Sequence, residues 1–368
     1  MWILETAFEI GLFWLDEPER LYILGYPKKG WRRNRHRDTD TEGVREVRGT
    51  VLSAGLLAGC TSDAEQGVGA TRTESEAETD TPTGNGSYSV SMSPMGDVTF
   101  DSPPETVFTR LTHHADMAFA LGHGDTVTAM HAPEYYSGLW SQFVERLPGV
   151  SLDWTGLYSS WKPSKEKLYE LDSDIHLADP AWIAKQDNWG REDFEEIATT
   201  VSPWFGNSLS DRHAEPPSGW ADYEYYTLWE QFELVAEAFQ EQARYEALVA
   251  IHDEMRSTID ANLPPESERP SAVMIAAADL NEIYAYTLDN PGFLAAHTRP
   301  FGARDAFEGS VETNSVVDFE TLLAADPDII LHLGGFEPST NLPERQEAFK
   351  SDPVGSEITA VQNDRIYP

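Results

Sequence analysis

Residues Phe319–Gly335 read FETLLAADPDIILHLGG. The first half predicts a short helix, Asp326-Pro327 a turn, and DIILHL a strand. The same element stands at Leu168–Pro180 as LYELDSDIHLADP: a helix, an Asp turn, a strand, and again Asp-Pro. A helix that turns tightly into an apolar strand is a building unit of parallel α/β layers. Its presence once in each half of the chain predicts two such layers.

The surrounding sequence fits that frame. VFTRL predicts a strand, HHADMAFALG a helix ending at Gly122, and TVTAMHA a second strand. REDFEEIATTVSPWF reads as helix then strand. In the second half, SAVMIAAA is a strand, NPGFLAAHTRPFGARDAFEG a helix and loop, and SEITAVQNDRIYP a helix end, a turn and a last strand. Between the halves, Asp222–Pro265 carries Leu228, Phe232, Val235, Phe239, Tyr245, Leu248, Ile251, Met255 and Ile259 at helical spacing, and Pro264-Pro265 stop it. This segment predicts one long helix with at most a single break. The fold class expected is α/β: two Rossmann-like lobes with mainly parallel sheets, joined by a long rigid helix.

Charge excludes several partners. The 368 residues hold 63 acids against 26 Lys and Arg, a formal net charge of −37. A nucleic acid needs cationic neutralisation of its phosphates, so it is excluded as a partner. Docking on an anionic membrane through a basic patch is disfavoured for the same reason. Such self-repulsion is relieved at high salt, where the Debye length is roughly 3 Å at 1 M. The acidity therefore reads as a halophile's, or as that of an acidic secreted protein.

Cys60 is the lone cysteine, so an internal disulfide is excluded. It ends the apolar run VLSAGLLAGC, which is too short to span a membrane but suits the apolar region of a signal peptide. VREV and Arg48 before it supply a basic start from Val44. Residues 1–43 show no clean period and read either as upstream sequence translated in frame or as an unusual extension. Residues 61–88 are poor in apolar side chains and predict a disordered tether. The organisation expected is thus 1–60 extension and signal peptide, 61–88 tether, 89–221 N-terminal lobe, 222–265 connecting helix and 266–368 C-terminal lobe.

Together these stretches resemble the substrate-binding lipoproteins of ABC importers for ferric siderophores, haem and cobalamin, of a halophilic archaeal type. The resemblance rests on VFTRLTHHADMAFALGHGDTVTAM, LYELDSDIHLADP, FETLLAADPDIILHLGG and ITAVQNDRIYP, and covers about Val98–Pro368. LAGC before Cys60 is similar to a lipoprotein signal box, which implies that Cys60 carries the lipid. The resemblance implies a ligand cleft between the lobes, a rigid joint, no catalysis and no cofactor. The bound ligand it implies is an Fe(III) chelate, with cobalamin or haem as alternatives. It implies a monomer on the outer face of the cell membrane, working with a permease and its ATPase. Glu320 matches the family's permease-docking position, with Glu192 as an N-terminal counterpart. Members usually continue past the RIYP strand with a closing helix. This chain stops at Pro368, so a truncated C-terminal lobe is expected.

In α/β sheets, ligands sit beyond the C-terminal ends of strands. That places Arg110, His113, His114, His131, Tyr135, Tyr136, Tyr158, Trp161, Trp182 and Trp189 around the cleft from the N-terminal lobe. Tyr284, Tyr286, Asn290, Arg299, Arg304, His332 and Phe336 would serve from the C-terminal lobe. Indole and phenol groups give broad rigid contact with a polar tip, and Arg offers a planar fork to anionic oxygens. Each aromatic could equally be core. His113, His114, His131 and His332 could form a metal site, but no His-rich loop accompanies them. G-x-S-x-G, H-E-x-x-H and a Gly-rich phosphate loop are all absent, leaving a secreted hydrolase with scattered carboxylates as the remaining enzymatic alternative.

Overall fold

The computed structural model describes residues 86–133, 156–186, 189–277, 280–333 and 342–367. Cys60, Tyr135, Tyr136 and Phe336, with the predicted extension and most of the tether, lie outside the described residues. A hairpin opens the described part: β1 (Tyr88–Met92) pairs antiparallel with β2 (Gly96–Phe100). Its alternation buries Val90, Met92, Val98 and Phe100 and leaves Ser89, Ser91, Asp97 and Thr99 in water.

The N-terminal sheet follows. Its elements are β3 (Val107–Thr109), α1 (Thr112–Ala120), β4 (Val127–Met130), β5 (Tyr158–Ser159), α2 (Lys165–Leu171), β6 (Ile175–Leu177), α3 (Pro180–Gln186) and α4 (Arg191–Thr200). All pairings are parallel, in the order β5-β4-β3-β6. A parallel bridge from His176 to Trp204 extends the same edge by one step. The strand order reverses between β3 and β6, the arrangement of doubly wound sheets. The strand expected in TTVSPWF is reduced to that single bridge.

The Asp222–Pro265 segment is broken once, within the single break expected: it forms two helices, α5 (Leu228–Phe239) and α6 (Gln242–Asn262). Thr227 and Glu230 exchange side chain-to-backbone bonds, Glu230 N to Thr227 Oγ1 at 3.2 Å and Thr227 N to Glu230 Oε2 at 2.8 Å, so the helix starts at 228. Gln240 takes a left-handed φ of 55° and ends it. The chain then doubles back: the Trp229 ring lies 4.6 Å from His252, and Phe232 5.4 Å from Tyr245. Leu228, Phe232, Val235 and Phe239 pack into the N-terminal core with the hairpin. So α5 belongs to the first lobe, and α6, about 30 Å long at 1.5 Å per residue, carries the chain to the second.

The C-terminal sheet comprises β7 (Ser271–Ala276), β8 (Ile283–Tyr286), β9 (Arg304–Asp305), β10 (Ser315–Val317), β11 (Ile329–His332) and β12 (Ile366–Tyr367). With them go α7 (Phe319–Ala325), α8 (Leu342–Ser351) and α9 (Thr359–Gln362). The order is β10-β8-β7-β11-β12, with β9 also on β7. β8 is antiparallel to both β7 and β10, so this sheet is mixed. Pro291, Gly292, Pro300 and Gly302 break the helix expected over NPGFLAAHTRPFG into two 3-10 turns, Phe293–Ala295 and Arg299–Phe301.

The helix–Asp–strand element that opened the sequence reading is built the same way twice. Ser164 caps α2 and Asp318 caps α7, each accepting a first-turn amide. Asp172 and Asp326 end those helices with left-handed φ of 45° and 41°. Two residues on, Asp174 Oδ2 accepts from Glu105 N and Thr106 N at 2.9 and 2.8 Å, and Asp174 N donates to Thr106 Oγ1 at 3.0 Å. In the second lobe, Asp328 Oδ2 accepts from Ser271 N and Oγ at 2.8 and 3.0 Å, and Asp328 N donates to Ser271 Oγ at 3.1 Å. A hydroxyl at the entry of the central strand and an aspartate at the entry of its parallel neighbour thus fix strand register in both lobes.

Candidate functional site

Four neighbouring strands end on one edge of the N-terminal sheet, and a chemically distinctive side chain follows each. Trp161 follows β5, His131 follows β4, Arg110 follows β3, and Trp182 lies in the first turn of α3, beyond β6. These residues meet. Arg110 Cζ is 4.8 Å from the Trp182 ring centroid and 5.5 Å from that of Trp161. The His131 ring lies 4.4 Å from Trp161. The Arg110–Trp182 contact bridges the ends of β3 and β6, where the strand order reverses. Doubly wound sheets bind ligands in that crevice.

Electrostatics single out Arg110. It is 3% exposed, and a guanidinium over an indole face gains cation–π attraction without losing its charge. Burial, and then the charge of Arg110, hold His131 down to about 4, so its imidazole is neutral at pH 7. Trp161 is 54% exposed and presents its indole to solvent. The edge therefore carries a fixed cation on an aromatic bed.

Asp179 builds this edge and was not foreseen. Its Oδ1 accepts from Ala181 N at 2.8 Å and Trp182 N at 3.2 Å, which starts α3 and aims Trp182. Its Oδ2 accepts from Ser208 N at 2.7 Å, Leu209 N at 3.2 Å and Tyr223 Oη at 2.6 Å. Burial raises its pKa, while the Tyr223 hydroxyl and the backbone amides work against that. The aspartate of the Asp-Pro that closes LYELDSDIHLADP is thus a buried hub.

The second group of candidates lies at the seam between lobes. His113 and His114 are both buried, with rings 4.0 Å apart. His114 Nε2 lies 2.9 Å from Gln231 Oε1 of α5, and burial lowers its pKa to about 4. The His113 ring lies 5.0 Å from Phe293, a C-terminal-lobe residue that joins the N-terminal core cluster. Nearby, Asn290 Nδ2 donates to Arg212 O at 3.1 Å, and Arg299 Nη1 donates to Asn290 O at 2.9 Å and Gly292 O at 2.7 Å. A Cβ on Gly292 would stand 2.1 Å from Asp211 O, so only glycine fits where the two lobes touch. Arg299 and Asn290 therefore brace the seam. Phe293, Arg212 and Asp211 escaped the sequence reading because only the fold brings them there.

The remaining candidates scatter. Trp189 packs against Phe194 and Trp204 inside the N-terminal core. Tyr158 lies under Lys167 of α2, at 5.2 Å. Tyr284 and Tyr286 stand on β8 rather than in a loop, on the face that holds Met274, and Tyr284 Oη donates to Glu282 at 2.6 Å. Arg304 pairs with Ser271, at the N-terminal start of β7, so it sits at the edge opposite the strand C-termini. His332 ends β11, is 1% exposed, and neither ring nitrogen has a hydrogen-bond partner. Among the described residues, no group of three or more His, Cys, Asp or Glu is placed to hold a metal ion.

A family model described as periplasmic binding protein matches residues 112–368, well over half of the chain. The chain belongs to the periplasmic binding protein family. Its members are solute-binding proteins. One curated relative is the Fe(3+)-citrate-binding protein YfmC of Bacillus subtilis, 23% identical over 226 residues. The match covers 61% of this chain and spans 62% of the length of that relative. Among solved structures, the petrobactin-binding protein YclQ of Bacillus subtilis superposes with a TM-score of 0.54 at 15% identity, covering 76% of this chain and 88% of YclQ. FeuA of Bacillus subtilis, solved with ferri-bacillibactin, gives 0.51 at 15% identity, covering 73% and 86%. At that identity these two structures establish the two-lobe α/β fold alone.

Proposed function

We propose that this chain is the extracytoplasmic solute-binding component of an ABC importer and that its cargo is a ferric chelate of siderophore type. It holds the chelate between the lobes, hands it to the permease, and performs no reaction. The observation that carries this reading is the Arg110 guanidinium beside Trp161 and Trp182 at the topological reversal of the N-terminal sheet. In a chain of net charge −37, a buried cation on an aromatic bed selects an anionic ligand with flat, polarisable surface. Ferric catecholates have both properties, and ferric carboxylates such as ferric citrate have the charge. The relatives named for ferric citrate, bacillibactin and petrobactin support an iron cargo.

Tryptophan fluorescence tests it, since Trp161 and Trp182 stand at the site. Ferric citrate, a ferric catecholate, cobalamin and haem would be titrated in turn. Quenching by a ferric chelate at micromolar concentration is expected; quenching by cobalamin or haem alone would reassign the cargo, and by free Zn²⁺ alone would overturn the reading.

Glu320 and Glu192 are exposed in the first turns of α7 and α4, where a permease could reach them. The lipid anchor is assigned to Cys60. Glu320→Ala is expected to leave chelate binding intact and to slow import in cells, whereas Cys60→Ser is expected to move the protein from the membrane fraction to the medium. Unchanged import in the first case, or retention on membranes in the second, would remove that assignment.

A further inference from the structure

Asp179 faces two ways. Its Oδ1 holds the amides of Ala181 and Trp182 at the start of α3. Pro180, the first residue of that helix, has no N–H to compete for it. Trp182 in turn lays its ring 4.8 Å from the Arg110 guanidinium. The other oxygen, Oδ2, holds Ser208 N at 2.7 Å and Leu209 N at 3.2 Å, and these amides open the 3-10 turn Leu209–Asp211. That turn meets the C-terminal lobe: Gly292 leaves no room for a Cβ against Asp211 O, and Asn290 Nδ2 donates to Arg212 O at 3.1 Å. One side chain therefore joins the wall of the Arg110 edge to the seam between the lobes.

Only a carboxylate serves both sides. Ionised, it accepts on two oxygens and donates on neither, so the four amides and the Tyr223 hydroxyl are met together. Asp179 is 1% exposed, so solvent does not stand in for a lost partner. An amide side chain has one accepting oxygen. Placed here, it could hold α3 or the turn, and its NH2 group would face backbone donors on the other side. Asparagine matches aspartate in shape, so it cuts the tie without leaving a cavity.

We propose that Asp179 is a positioning residue for cargo. It does not touch the ligand; it pins the start of α3 to the seam turn and so holds Trp182 against Arg110. The inference rests on the reading of that edge as the cargo site, and it makes affinity depend on a residue outside the site. Charge alone predicts the opposite sign, since removing a negative charge beside an anion site should tighten anion binding. Loss of affinity on neutralising Asp179 therefore marks positioning.

A ferric tris-catecholate would be titrated by calorimetry into the unmodified protein, Asp179→Asn, Trp182→Ala and the double variant, with thermal melting as the check on folding. Asp179→Asn is expected to weaken binding about tenfold, and Trp182→Ala by about as much. In the double variant the loss should exceed that of Trp182→Ala by less than about twofold, because Asp179 acts through the ring already removed. A purely structural role would lower the melting temperature and leave affinity unchanged, or would cost the same with and without Trp182. Either result, or tighter binding, overturns the proposal. Near-ultraviolet circular dichroism gives a readout without cargo. Asp179→Asn should lose the tryptophan signal that Trp182→Ala loses. A spectrum like that of the unmodified protein overturns the proposal, even where no ferric chelate binds and the cargo reading fails by itself. Should Asp179→Asn not fold, Tyr223→Phe takes its place. It removes one donor from Oδ2, and about a threefold loss is expected that vanishes beside Trp182→Ala.

Discussion

Arg110→Gln is expected to weaken binding of an anionic ferric chelate about a hundredfold, close to 3 kcal/mol. Three effects combine. The substitution removes the cation at the sheet edge, removes the planar fork that matches anionic oxygens, and removes the partner of two indole faces. Arg110→Lys separates them. It keeps the charge but loses the fork and the flat stack, and about a tenfold loss is expected. Trp161→Ala tests the aromatic bed alone. That side chain is 54% exposed, so its removal leaves no cavity in the core. Calorimetry on the three proteins gives the ranking Gln, then Lys and Ala, then unmodified. Unaltered affinity in Arg110→Gln would place the anion elsewhere.

Acid should unfold the protein well above the usual carboxylate range. Burial holds His114 and His176 down to about 4. An unfolded histidine takes a proton near 6.5. The folded state resists that proton, so stability is full above pH 6.5 and is lost as pH falls toward 4. Each histidine accounts for about 3 kcal/mol over that interval. Asp211 acts with the opposite sign. Burial raises it to about 6, so its folded form takes up a proton first and recovers about 3 kcal/mol as pH falls from 6 toward 4. His131 and His297 are also held down to about 4 and act with His114 and His176, while burial raises Asp179 and Asp305 in the sense of Asp211; four histidines at about 3 kcal/mol each make the loss on acidification a large share of an ordinary domain's stability. Melting temperature measured from pH 7.5 to 4.5 should therefore drop steeply. His176→Gln should flatten that drop, because His176 lies between Phe108 and Trp204 with ring centroids at 5.5 and 4.6 Å and cannot reach water when protonated. A flat profile in the unmodified protein would contradict this assignment of the buried histidines.

The sequence was most readable where local chemistry and tertiary structure agree. Asp172 and Asp326 end helices and the apolar runs after them are strands, so the two repeated elements could be found by pattern alone. The single break expected in the connecting segment could not be placed at Gln240, because no Gly or Pro marks it and the apolar spacing runs straight through. IYAY at Ile283–Tyr286 does not lie beyond a strand end as expected; it is a strand whose alternation places Ile283 and Ala285 in the core and the tyrosines on the opposite face. The cluster of Arg110, His131, Trp161 and Trp182 was legible as a set, since each follows a strand. Their contacts were not, nor was Asp179, whose five donors come from residues up to 44 positions away. Arg304 misled for a related reason: β9 enters beside the start of β7, which no local pattern announces.

The paired hydroxyl–aspartate contacts at the strand entries also bear on how the chain reaches this structure. Thr106 and Asp174 are 68 residues apart, and Ser271 and Asp328 are 57 apart. Each contact closes a long loop, and neither loop crosses α6. The entropy of closure grows only with the logarithm of loop length, so the two differ by about 0.2 kcal/mol. Register in each lobe is thus fixed by a closure of nearly the same entropic cost, and neither closure draws on residues of the other lobe.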